Sequence, residues 1–180
     1  CKLLINHTNF HSNYLNKNSK ISNNYILEKN CDFLTELKIF YLQIKELIRI
    51  ILFHRNISSN KSFFLSVIYS LFEYESRFAI RMHFLLKKYL KTIDPKFVIF
   101  THEGYPWERL SIKSIKEFNK NIVCVGYQSS VLLDKNSQIN KKLNGDFNPD
   151  MIWASGTFSE RVLKNSKKLK NIQVYNVGYF

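Results

Sequence analysis

Four short apolar runs, Phe97-Val98-Ile99-Phe100, Ile122 to Val125, Met151 to Ala154 and Ile172 to Val177, punctuate the second half of the chain and limit its fold more than any other feature. Each has the length of a strand buried in a sheet. A helical pattern over residues 107–119, with Leu110, Ile112, Ile115 and Phe118 apolar, separates the first two runs. Another, from about Phe158 to Asn165, separates the last two. Between the middle pair lies a polar connection, Ser129 to Asn148, ahead of Pro149-Asp150. Strands that alternate with helices pair in parallel, because each helix carries the chain back to the end where the previous strand began. The expected class is α/β, a Rossmann-like parallel sheet with flanking helices.

Upstream the apolar period lengthens. Phe33, Leu37, Phe40, Ile44, Leu47, Ile48 and Ile51 fall at three- and four-residue steps, which predicts an amphipathic helix from Phe33 to Phe53. Glu36, Lys38, Lys45, Glu46 and Arg49 interrupt it, so it lacks the run of about 20 apolar residues that spans a bilayer. After a polar break from Asn56 to Lys61, a second helical pattern runs from about Phe63 to Leu90 and ends at Asp94-Pro95. Residues 1–30 are rich in Asn, Ser and Lys, with no sustained period. The chain thus divides into a poorly packed amino-terminal extension, 1–30, and a partial Rossmann-like domain, 31–180. Within that domain residues 31–93 are mainly helical and 94–180 alternate strand with helix.

Lys and Arg number 27 against 14 Asp and Glu, a formal charge of +13 that favours phosphate-bearing ligands, anionic membrane surfaces or nucleic acid. The basic residues are spread along the chain without zinc-finger spacing or an aromatic RNA-binding signature, so no specific nucleic acid is expected. Cys1, Cys31 and Cys124 are too far apart for a CxxC pair, which fits a reducing, cytoplasmic setting, and Cys124 sits in an apolar run as a small buried hydrophobe. The chain opens on Cys with no signal peptide and closes on a strand entering a turn, from which more chain is expected to follow in the parent protein.

In a parallel sheet the ligand crevice lies beyond the carboxyl ends of the strands. Three segments occupy that position: Thr101 to Trp107, Gly126 to Ser130, and Ser155 to Thr157. In the first, Glu103 precedes a helix and can take a proton from a hydroxyl as a general base, or can satisfy backbone donors of the loop. His102 and Gly104 flank it, and Arg109 follows in the same dense stretch. Pro106 suits a first helical turn and Glu108 suits the positive end of the helix dipole. Trp107 can stack on a sugar or pack on the sheet. Gly126 permits close approach of backbone, while Gln128 and the hydroxyls of Ser129 and Ser130 offer hydrogen bonds. Ser155 and Gly156 open a helix whose amides can hold phosphate, with Thr157 as an ordinary cap. There is no P-loop, GxGxxG, HExxH, DxD or GxSxG, and no metal is expected.

Taken in order, Glu103 with Pro106-Trp107-Glu108, Gly126-Tyr127-Gln128, Asn148-Pro149-Asp150 with Ser155-Gly156, and Val177-Gly178-Tyr179 form a succession. It resembles that of bacterial surface-carbohydrate and capsule polysaccharide biosynthesis glycosyltransferases, over about residues 94–179. The resemblance implies the amino-terminal, acceptor-side half of a GT-B fold, preceded here by long helices and inactive alone. Glu103 matches the family's acidic position and the catalytic role, Trp107 and Glu108 its PWE, and Gln128 its turn. Ser129 departs from the pattern, because His commonly stands there. The implied substrates are a nucleotide-activated sugar and a carbohydrate acceptor, with no further cofactor. His102, Gly104, Trp107, Glu108, Arg109, Tyr127, Gln128, Ser129, Ser155 and Gly156 would bind them. The setting would be cytoplasmic, at the inner face of the cell membrane through peripheral association. Two other readings stand beside this one: a glycerophosphotransferase using CDP-glycerol, and a non-catalytic α/β module that binds a nucleotide or sugar.

Overall fold

The computed structural model describes residues 32–54, 61–130, 138–141, 143 and 146–178. Three helices come first: α1 (Phe33–His54), α2 (Lys61–Phe72) and α3 (Tyr74–Ile93). Then follow β1 (Phe97–Thr101), α4 (Pro106–Phe118), β2 (Val123–Gln128), β3 (Met151–Ala154), α5 (Thr157–Lys164) and β4 (Gln173–Asn176), with single 3₁₀ turns at Gln138–Asn140 and Lys167–Leu169. The extension expected over 1–30 lies outside the described residues. No described helix is long and apolar enough to cross a membrane.

The second helical pattern, expected to run unbroken from Phe63 to Leu90, is two helices. Glu73 adopts an extended conformation and starts α3 afresh. The break frees carbonyls in the last turn of α2, and side chains from elsewhere take them up. Gln43 of α1 donates its amide to the Leu71 carbonyl at 2.9 Å, and the Ser76 hydroxyl donates to Ser70 at 2.5 Å. Satisfying those carbonyls offsets the cost of breaking the helix. At its far end α3 stops where expected: Asp94 turns left-handed, its amide bonds the Leu90 carbonyl, and Pro95 follows.

The four described strands are all parallel and lie in the order β1-β2-β3-β4, an α/β arrangement compatible with a Rossmann-like fold. Registers place Val98 beside Cys124, and Ile152 between Gly126 and Val174. The second strand differs from expectation. Ile122 precedes it, and it extends through Gly126-Tyr127-Gln128, the segment expected as the turn beyond it. Those three residues pair with β3, and the first two also with β1, so neighbours on both sides hold them extended.

Every crossover here steps one strand in the same direction. A right-handed crossover that always steps the same way lays its helix on the same face. The core agrees. Leu86 and Leu90 of α3 and Ile112 and Ile115 of α4 pack on Val98 and Cys124, while Leu163 of α5 and Leu169 pack on Ile152, Ala154 and Val174. Cys124 is a buried free thiol whose pKa burial pushes up to about 12, so it packs as a small hydrophobe. On the opposite face Phe97, Ile99, Val123 and Tyr175 remain 37% to 61% exposed.

Candidate functional site

The turn from β1 into α4 is built around two glutamates five residues apart. Pro106 opens α4 as expected, its fixed φ suiting the first turn. Glu108, in that first turn, folds back so that its Oε2 accepts the amides of Glu103 (2.8 Å), Gly104 (2.8 Å) and Tyr105 (2.9 Å). One carboxylate oxygen thereby shapes the whole turn. Gly104 makes this possible with φ +90, and a Cβ there would lie 2.5 to 2.6 Å from the backbone of Gln138 and Ile139. Burial pushes the Glu108 pKa up to about 7, against the opposing pull of the three amides.

His102 lies beneath this turn, on the helix side of the sheet. It and Glu108 are each 1% exposed, and its Nδ1 stands 3.7 Å from Glu108 Oε2, beyond hydrogen-bond reach. Among the described residues that Nδ1 has no hydrogen-bond partner. Burial first, and the charge of Arg109 second, depress the imidazole to about 3, so it is neutral. The close approach that Gly126 permits is that of His102: a Cβ on Gly126 would sit 2.7 Å from the His102 Cβ.

Glu103 points the other way, across the carboxyl ends of the strands. Its Oε1 accepts the Ser129 amide (2.9 Å), the Ser129 hydroxyl (3.1 Å) and the Ser130 amide (2.9 Å). Its Oε2 accepts the Ser130 hydroxyl at 2.6 Å. The carboxylate ties the exit of β1 to the exit of β2. Below it Gln128, fully buried, donates its amide to the Ser130 carbonyl and accepts the Ser155 hydroxyl at 3.5 Å, which links β2 to the exit of β3. Gly156 follows in extended conformation as the residue before α5, with open space where a Cβ would be. Thr157 is the first residue of α5 and not its cap.

The structure therefore gathers Glu103, Gln128, Ser129, Ser155 and Gly156 of the expected residues at one edge of the sheet, keeps Gly104 and Glu108 in the turn that carries Glu103, and leaves His102, Trp107, Arg109 and Tyr127 in other surroundings. Trp107 packs edge-on against Phe78 with ring centroids 6.1 Å apart, beside Met82 and Leu85. Arg109 is buried and donates to the Asn148 side chain (2.8 Å) and to the carbonyls of Gln138 (2.9 Å) and Lys141 (2.6 Å), holding the β2–β3 connection. Tyr127 lies on the open face in a row with Thr101, Trp153 and Tyr175, its hydroxyl 3.4 Å from the Gly178 carbonyl. Two residues perform tasks that the sequence did not assign to them. Ser130 holds Glu103, and the paired serines after a strand were its signal. Asn148 receives Arg109, and the Asn-Pro-Asp turn was its signal.

A separate pocket of about 640 Å³ lies on the helix side of the turn, lined by Leu71, Ala79, Ile80, Tyr105, Leu110 and Phe147 among others. Among the described residues, no three of His, Cys, Asp and Glu come together as a metal-binding group. Compared with models of protein families, with curated proteins and with solved structures, the chain matches none of them.

Proposed function

We propose that this chain is the acceptor-side domain of a GT-B glycosyltransferase, which moves a sugar from a nucleotide sugar to a surface-polysaccharide acceptor. The observation that carries the reading is the uneven engagement of the Glu103 carboxylate. Oε1 takes three donors, more than its two lone pairs share comfortably, and is fixed in place. Oε2 takes one, the Ser130 hydroxyl, and keeps capacity for a second. A carboxylate anchored through one oxygen and open at the other is oriented to accept a proton from an incoming hydroxyl. Its place at the carboxyl ends of parallel strands is where ligands of such sheets bind. The order of short motifs along residues 94–179 supports the same reading.

The acceptor hydroxyl would donate to Glu103 Oε2 beside Ser130 and attack the sugar carbon as the nucleotide leaves. Neutralising the leaving phosphate falls to the donor-binding half of the enzyme. The test is turnover by the full-length protein against a panel of nucleotide sugars and CDP-glycerol, comparing wild type with Glu103→Gln. The expected result is turnover of one nucleotide sugar, with kcat lowered by about 10²- to 10⁴-fold in Glu103→Gln while the thermal transition survives. Undiminished turnover in the variant removes Glu103 from the chemistry. Binding without turnover of any donor leaves a binding module.

A further inference from the structure

The two sides of α1 serve different surroundings. Inward, Ile39 and Gln43 are buried, and Glu36 bridges Arg77 (3.1 Å) and Arg81 (2.6 Å) of α3. Outward, Leu34, Leu37, Phe40, Tyr41, Ile48 and Ile51 are 47% to 66% exposed. At about 100° per residue these six fall within an arc of roughly 120°, one continuous apolar stripe along the helix. The next roughly 60° of the circumference carries Lys45, Lys38 and Arg49. The acidic residues of the helix, Glu36 and Glu46, lie on the other side, one in the Arg77–Arg81 bridge and the other 3.4 Å from Arg49.

We propose that this stripe is a docking surface for an anionic lipid bilayer, on which α1 lies along the headgroup boundary. The stripe supplies apolar and aromatic side chains to the acyl edge, and its cationic border meets the phosphates. Charge decides between occupants. A second copy packed on the same stripe would bring Lys38 and Lys45 toward their own counterparts, on a chain already at +13, whereas an anionic surface neutralises both. The five charges within α1 keep it in the plane of the interface and do not let it cross. The inference stands apart from the catalytic reading, since no residue of the Glu103 cluster takes part.

The experiment is co-sedimentation of the intact chain with vesicles of phosphatidylcholine alone and of phosphatidylcholine mixed with phosphatidylglycerol, with light scattering of the vesicle-free protein alongside. Binding to the mixed vesicles should exceed binding to the neutral ones and weaken with salt. The double variant Leu37→Glu, Ile48→Glu should lose binding by at least about tenfold with an unchanged thermal transition, because both positions are exposed. Lys38→Glu with Lys45→Glu should abolish the preference for the anionic vesicles. Failure to bind either vesicle, or equal binding by the Leu37→Glu, Ile48→Glu protein, overturns the proposal. So does a dimer that the same pair of substitutions disperses while vesicles are ignored, which makes a second copy the occupant.

Discussion

Glu103 and Glu108 share one turn and differ in everything their surroundings impose. Glu108 is enclosed, so it does better neutral than an ordinary carboxyl. Its raised pKa contributes stability that is complete below pH 4.5 and is lost as the pH climbs to about 7. His102 acts oppositely: depressed to about 3, it makes unfolding easier as the pH falls from 6.5 toward that value. Between 4.5 and 6.5 the two slopes oppose in the wild type. Urea unfolding across this range should therefore show wild type losing stability relative to Glu108→Gln as the pH rises to about 7, by up to about 3 kcal/mol, with no further change above. A pH-independent difference between the two proteins would show that Glu108 is ionised throughout. Sequence position alone singled out Glu103, since a carboxylate just past a strand faces the crevice. The task of Glu108 was not legible, because it depends on three amides that converge only when Gly104 takes a positive φ.

At the scale of elements, α4 does two jobs. Its apolar side enters the core through Ile112 and Ile115, and its first turn holds the β2–β3 connection through Arg109. Replacing Arg109 by Met keeps the stem and removes the head, leaving the Gln138 and Lys141 carbonyls and the Asn148 side chain short of donors. The expected cost is about 3 kcal/mol, measured by urea unfolding, with faster amide exchange at residues 138–141 than in β2. Equal exchange in both would mean that other contacts hold the connection. The apolar period located α1 and α4 to within a residue, but only in α4 does that apolar face meet the core; in α1 most of it points outward. The same period ran straight through Glu73, where the outcome rested on Gln43 and Ser76, side chains distant in sequence or in spacing from the carbonyls they satisfy. Likewise Gly126-Tyr127-Gln128 has the composition of a turn, and only pairing with flanking strands makes it strand.

For the molecule as a whole, the sheet has an inside and an outside that its strands do not announce. Phe97 and Ile99 are as apolar as Val98 and Phe100, so the local pattern reads as buried on both faces, and it takes the strand order to show that the described helices share one. Ile99→Thr should accordingly change stability by less than about 1 kcal/mol, whereas Ile152→Thr, under α5, should cost roughly 2 to 4 kcal/mol in the same denaturant measurement. Equal costs would mean that the Ile99 face is covered in solution. The strand order has a kinetic side as well. Each of β2, β3 and β4 pairs with the described strand synthesised just before it, so this sheet can lengthen strand by strand as the chain leaves the ribosome.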